Sequence, residues 1–127
     1  MFMLKDLLNL FFPKVCLACK EHLLANENIV CTTCRHHFPL TLHSENQNNE
    51  IIRKFYGRLT LEHASALLYF HKNGIVQELI HNLKYKNRQE IGTLLGEWYA
   101  EDLKNIHAEL FFDAIIPVPL HKKRMRE

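Results

Sequence analysis

Apolar residues near the start of the chain follow a helical rhythm. Leu4, Leu7, Leu8 and Phe11 recur at i, i+3, i+4 and i+7, until Pro13 ends the pattern. This predicts an amphipathic helix over residues 1–13 that docks on its own protein or on a partner. Lys5 and Asp6 interrupt the apolar run, and neither a basic n-region nor a small-residue cleavage site flanks it, so it does not read as a signal peptide. Further along, "HASALLYFH" (63–71) is a short apolar run between charged and turn-forming residues. It predicts a buried strand, paired with "IIRKFY" or "RLTLEH". Two helical patterns follow. Asn73 is placed to cap the first, with a stripe of Ile75, Leu79, Ile80 and Leu83. Asn87 and Glu90 resemble a capping box for the second, which carries Ile91, Leu94, Leu95, Trp98 and Leu103. Gly92 and Gly96 lie four apart in that helix and suggest close helix packing. "DAIIPVPL" (113–120) predicts a returning strand.

Strand, two helices and strand in this order predict an α/β fold: a right-handed crossover, a parallel sheet and helices on its faces. The polar stretch "HSENQNNE" (43–50) reads as a surface loop and sets the boundary between a small module at 14–42 and a larger unit at 51–127.

Composition adds few constraints. The 127 residues are 47% hydrophobic and 24% charged, ordinary for a globular chain able to bury a core. No apolar stretch is long enough to span a bilayer. The formal charge of +2 is unevenly distributed. Residues 121–127 hold four of the 16 basic and one of the 14 acidic residues, a charge of +3, which leaves the other 120 residues at −1. A general nucleic-acid-binding surface over the body of the chain is therefore not expected.

All four cysteines fall in "CLAC" (Cys16, Cys19) and "CTTC" (Cys31, Cys34), two C-x2-C pairs separated by eleven residues. Each pair can place two thiolates on one side of a metal ion, and two pairs complete the tetrahedral set that Zn2+ prefers. A redox reading accounts for one pair and leaves the other unexplained. A disulfide reading conflicts with the reducing, cytoplasmic compartment expected of a chain without a secretory signal. With four sulfurs filling the coordination sphere, the zinc is expected to be structural, and His22, His36 and His37 are expected to be solvated or to lie behind the ligands. Residues 14–40 have too few large apolar side chains to fold without it. Lys84, Lys86 and Arg88 in "LKYKNR" form a basic run at a helix end, where solvated charge complementing the helix dipole is the ordinary explanation.

Taken in order, "CLAC…CTTC", "LKYKNR" and "DAIIPVPLHKKRMRE" resemble the ComF family, bacterial proteins of competence and DNA uptake with an N-terminal zinc module and a phosphoribosyltransferase-like domain. The resemblance covers nearly the whole chain. It implies a ligand such as phosphoribosyl pyrophosphate (PRPP), with Lys84, His121, Lys122, Lys123, Arg124 and Arg126 contributing to phosphate binding. It also implies partners in the DNA-uptake machinery or single-stranded DNA. In that family the final strand and loop lead into a further helix and, later, an acidic pair with a Thr/Gly-rich phosphate loop. None of these is present here. The resemblance therefore implies an N-terminal portion, without transferase activity on its own and prone to self-association through an open sheet. Two other readings stand beside it. One is a self-sufficient zinc-ribbon module for protein–protein interaction. The other is a nucleic-acid-binding ribbon using Lys14, Lys20, Arg35 and Phe38.

Overall fold

The computed structural model describes residues 2–106 and 112–119. Five α-helices organise it: α1 (Phe2–Phe11), α2 (Thr32–His36), α3 (Glu50–Phe55), α4 (Ile75–Tyr85) and α5 (Glu90–Ile106). A 3-10 turn at His43–Glu45 lies between α2 and α3. Among the described residues there is no strand, and only two isolated bridges occur, Val15 with His22 and Leu40 with Leu68. The expected parallel sheet of a phosphoribosyltransferase-type fold is therefore overturned.

The reason is visible at both expected strands. At 63–71 the pairing stops at the single Leu40–Leu68 bridge. Thr41 N–H donates to Leu67 O (3.1 Å) and Tyr69 N–H to Pro39 O (2.8 Å). Side chains take the next carbonyls, with Thr41 Oγ1 donating to Ala66 O and Asn49 Nδ2 to Ala64 O. The supposed partner "IIRKFY" belongs mostly to α3, begun by Asn49, whose Oδ1 accepts from the N–H groups of Ile51 and Ile52. At 113–119 the chain is uncovered: Ile115, Ile116 and Val118 are 87–90% exposed.

Helices α4 and α5 form a hairpin at the centre of the core. Leu79 and Ile91 are fully buried and Val76 nearly so, with Ile75, Ile80, Leu83, Leu95 and Trp98 packed around them. The expected α4 stripe packs in full, and Val76 joins it; of the expected α5 stripe, Ile91, Leu95 and Trp98 belong to the cluster, whereas Leu94 and Leu103 do not. Their caps differ. Gly74, not Asn73, precedes α4, and Asn73 adopts a left-handed φ of 62°. Asn87 also turns left-handed (φ 53°) and accepts from Gln89, while Glu90 pairs with Arg88, so the expected capping box does not form. Gly92 sits against Leu83, where an added Cβ would meet Cδ1 at 3.5 Å. Gly96 faces open space, so close packing applies to only one of the pair.

The stretch 43–50, expected to be a surface linker, is partly interior. His43, Ser44 and Asn49 are buried, and Ser44 Oγ donates to Asp102 Oδ2 on α5 at 2.6 Å. Helix α1 has the expected extent, yet Leu7, Leu8, Leu10 and Phe11 are exposed and do not dock on this chain.

Candidate metal centre

The first cysteine pair lies on a tight antiparallel turn. Cys16 N–H donates to Glu21 O (2.8 Å), Lys20 N–H to Cys16 O (2.9 Å) and Leu23 N–H to Lys14 O (2.9 Å). The turn closes through Lys20 in the left-handed region (φ 69°). The second pair starts a helix: Cys31 is the N-cap of α2, its sulfur accepting from Cys34 N–H at 3.4 Å. Between the pairs Glu27 acts as a buckle. Its carboxylate accepts from Leu24 N–H (2.8 Å), Thr32 N–H (2.6 Å) and Thr32 Oγ1 (2.7 Å), fixing the loop to the first turn of α2. These bonds, those from the two backbone amides first, hold the Glu27 carboxyl below the usual range.

The two turns bring the four sulfurs within 4.8 Å of one another. Cys19 and Cys31 are 3.7 Å apart across the pairs. Four sulfurs placed tetrahedrally at about 2.3 Å from one ion would be about 3.8 Å apart. The group could therefore hold a metal ion. Three of the four are buried, and Cys19 is the exposed member. Cys16 Sγ accepts from the N–H groups of Ala18 (3.4 Å) and Cys31 (3.3 Å). Burial pushes the Cys16 thiol up, but backbone N–H bonds from Cys19, Cys31 and Ala18 outweigh it and bring the group down to about 7. Cys34 moves the other way: burial raises it far above the ordinary thiol value, reinforced by the Cys19, Cys31 and Cys16 sulfurs. One thiolate forms readily in this cluster, and a fourth needs a cation to offset like-charge repulsion.

The sulfurs are not set apart in a module of their own. Cys16, Ala18, Cys31, Cys34 and Phe38 belong to the same hydrophobic cluster as Val76, Leu79 and Ile91. Three contacts tie the cysteine turns to the hairpin. Buried Asn82 on α4 donates to Leu17 O at 2.8 Å. Phe38 meets Trp98 edge-on at 5.5 Å between centroids, and the Arg35 guanidinium lies 4.8 Å over the Trp98 ring. Lys20 also pairs with Glu78 at 3.3 Å, an exposed contact of small energetic weight.

His22, His36 and His37 are exposed and stand outside the sulfur group; His37 Nδ1 bonds Thr33 O at 2.7 Å. Lys84 is exposed on the last turn of α4, and Lys86 and Arg88 are exposed beyond it. His121, Lys122, Lys123, Arg124 and Arg126 lie outside the described residues. The structure thus assembles the four cysteines and does not gather a phosphate-binding group among the residues it describes.

Sequence reasoning missed a second polar centre. A cavity of about 500 Å3 is lined by Thr41, His43, Asn49, Glu50, Arg53 and Tyr69 among others. His43 Nε2 lies 3.4 Å from Glu50 Oε1 and 3.5 Å from Tyr69 Oη, while its buried Nδ1 has no partner. The Tyr69 hydroxyl, with His43 and Lys54 adding to it, lowers the Glu50 carboxyl, and Glu50 in turn raises Tyr69. The only sequence signal was Asn49-Glu50 preceding an apolar pair, an N-cap pattern inside a stretch that reads as loop.

No protein-family model, curated protein or solved structure significantly matches the chain. No helix among the described residues is long and apolar enough to cross a membrane.

Proposed function

We propose that Cys16, Cys19, Cys31 and Cys34 hold one structural Zn2+, and that the chain is a metal-stapled scaffold that docks other macromolecules. The observation that carries this is the meeting of four sulfurs within 4.8 Å inside the main apolar cluster. An all-sulfur tetrahedral set suits zinc, which tolerates it without redox chemistry, and leaves no open position for a substrate. Exposed Leu7, Leu8, Leu10 and Phe11 on α1 offer an apolar docking face, which supports the interaction role.

The setting we propose is DNA uptake by a ComF-type protein, with the competence machinery or single-stranded DNA as partner. This rests on the order of "CLAC…CTTC", "LKYKNR" and "DAIIPVPLHKKRMRE". Metal analysis of the purified chain should return one zinc per chain; iron, or no metal, would overturn the zinc assignment. Deleting the gene from a naturally transformable host should lower transformation by added DNA, and a Cys31→Ser allele should reproduce the defect. Unchanged transformation in the deletion strain would rule out the DNA-uptake role.

A further inference from the structure

The four sulfurs are unequal, and the inequality has a chemical consequence. Cys16 is fully buried and anchored by two N–H bonds, at 3.3 and 3.4 Å. Cys34 is 5% exposed and Cys31 8%. Cys19 is open to solvent, and its sulfur lies 3.7 Å from that of Cys31, across the two pairs. Peroxide arriving from water therefore meets Cys19 first, and a second sulfur stands ready behind it.

We propose that Cys19 is an oxidation site at which a hydroperoxide converts the metal cluster into a Cys19–Cys31 disulfide and expels the metal. This rests on the zinc assignment above. In the first step the Cys19 thiolate attacks one oxygen of hydrogen peroxide. An S–O bond forms, the O–O bond breaks and hydroxide leaves. In the second step the Cys31 thiolate attacks the Cys19 sulfenic sulfur; an S–S bond forms and a second hydroxide leaves. Two thiolates supply the two electrons that reduce one peroxide, and the two hydroxides are neutralised to water by the buffer acid. Only Cys16 and Cys34 then remain as thiolate ligands, too few to keep the ion.

The effect reaches the helical core. Cys31 caps α2 through its sulfur, and that helix carries Arg35 onto Trp98, the one tryptophan of the chain. Drawing the Cys31 sulfur into a disulfide removes the cap and loosens the stack. Trp98 emission thus reports the event.

The test uses the full zinc-loaded chain and a small excess of hydrogen peroxide. Released zinc is followed with a chromogenic chelator, and disulfides are mapped by mass spectrometry without reduction. The expected result is one zinc lost per disulfide, Cys19–Cys31 as the first pair, and a red shift of Trp98 emission. Cys19→His supplies a Cys3His set that also suits zinc, and should lose its metal at least about tenfold more slowly. Retention of zinc, a first disulfide within either C-x2-C pair, or equal zinc loss from Cys19→His would overturn the proposal. A chain that holds no zinc before peroxide is added contradicts the zinc assignment itself, and the switch with it. A chain that holds zinc and keeps it under peroxide contradicts the switch alone.

Discussion

Two stretches of this molecule fold with little regular structure, and they close by different means. In residues 14–38 the organising centre is a group of sulfurs; backbone N–H groups turn inward to Cys16 and Cys31, and a metal ion would complete the closure. In residues 40–69 the organising centre is one amide. Asn49 caps α3 through Oδ1, and its Nδ2 group reaches the carbonyls of His43 (3.4 Å), Asn46 (3.0 Å) and Ala64 (2.6 Å). Both stretches also lean on α5, the first through Phe38 and Arg35 on Trp98, the second through Ser44 on Asp102. Irregular backbone persists only where its buried N–H and C=O groups find partners. A metal centre concentrates that closure in one removable ion, whereas an asparagine spreads it over a handful of ordinary hydrogen bonds.

Substitutions can separate the two schemes. The largest effect belongs to Cys34→Ser, which under the proposed zinc assignment removes one of four ligands; structural zinc contributes about 10–16 kcal/mol in comparable small modules. The variant should lose its zinc and its near-ultraviolet circular dichroism. Leu79→Ala, at the fully buried centre of the shared core, should cost about 2–5 kcal/mol in urea unfolding while zinc content stays at one per chain. Asn49→Ala removes a helix cap and leaves carbonyls unpaired, for about 2–4 kcal/mol, again with zinc retained. Asn49→Asp sharpens the point, because it keeps the cap but turns a carboxylate oxygen toward the same three carbonyls at a buried position, so it should destabilise at least as much as Asn49→Ala.

The smallest effect is on pH dependence. The Glu27 carboxyl is held below its ordinary 4.5 by backbone N–H groups and the Thr32 hydroxyl. Its contribution is therefore complete above that value and is lost as pH falls through the lower folded value. Glu27→Gln should remove this part of the acid limb in a pH series of unfolding midpoints.

The cysteine group was legible in the sequence because ligand chemistry is written in short spacings: two residues between partners suffice to aim two sulfurs at one point. Helices α4 and α5 were legible for a similar reason, since Ile75, Leu79 and Leu83, and Ile91, Leu95 and Trp98, declare a face within a few turns. The strands failed because a strand is defined by a partner elsewhere. The run at 63–71 has the apolar character of a buried strand, yet Thr41 and Asn49 claim its carbonyls. "IIRKFY" is short enough to suit either period, and the Asn49 cap decided for helix. The left-handed turns at Asn73 and Asn87 show a further ambiguity: asparagine serves both as cap and as left-handed turn residue, and composition does not distinguish the two.

The central claim is that the metal site and the α4–α5 hairpin share one core, so that the ion orders the helices as well as the cysteine turns. Amide hydrogen exchange of the zinc-loaded chain, before and after chelation, tests it most directly. Loss of protection at Leu79 and Ile91 together with Cys31 and Cys34 is the predicted result. A hairpin that keeps its protection after the zinc has gone, with only residues 14–38 exchanging freely, would contradict it.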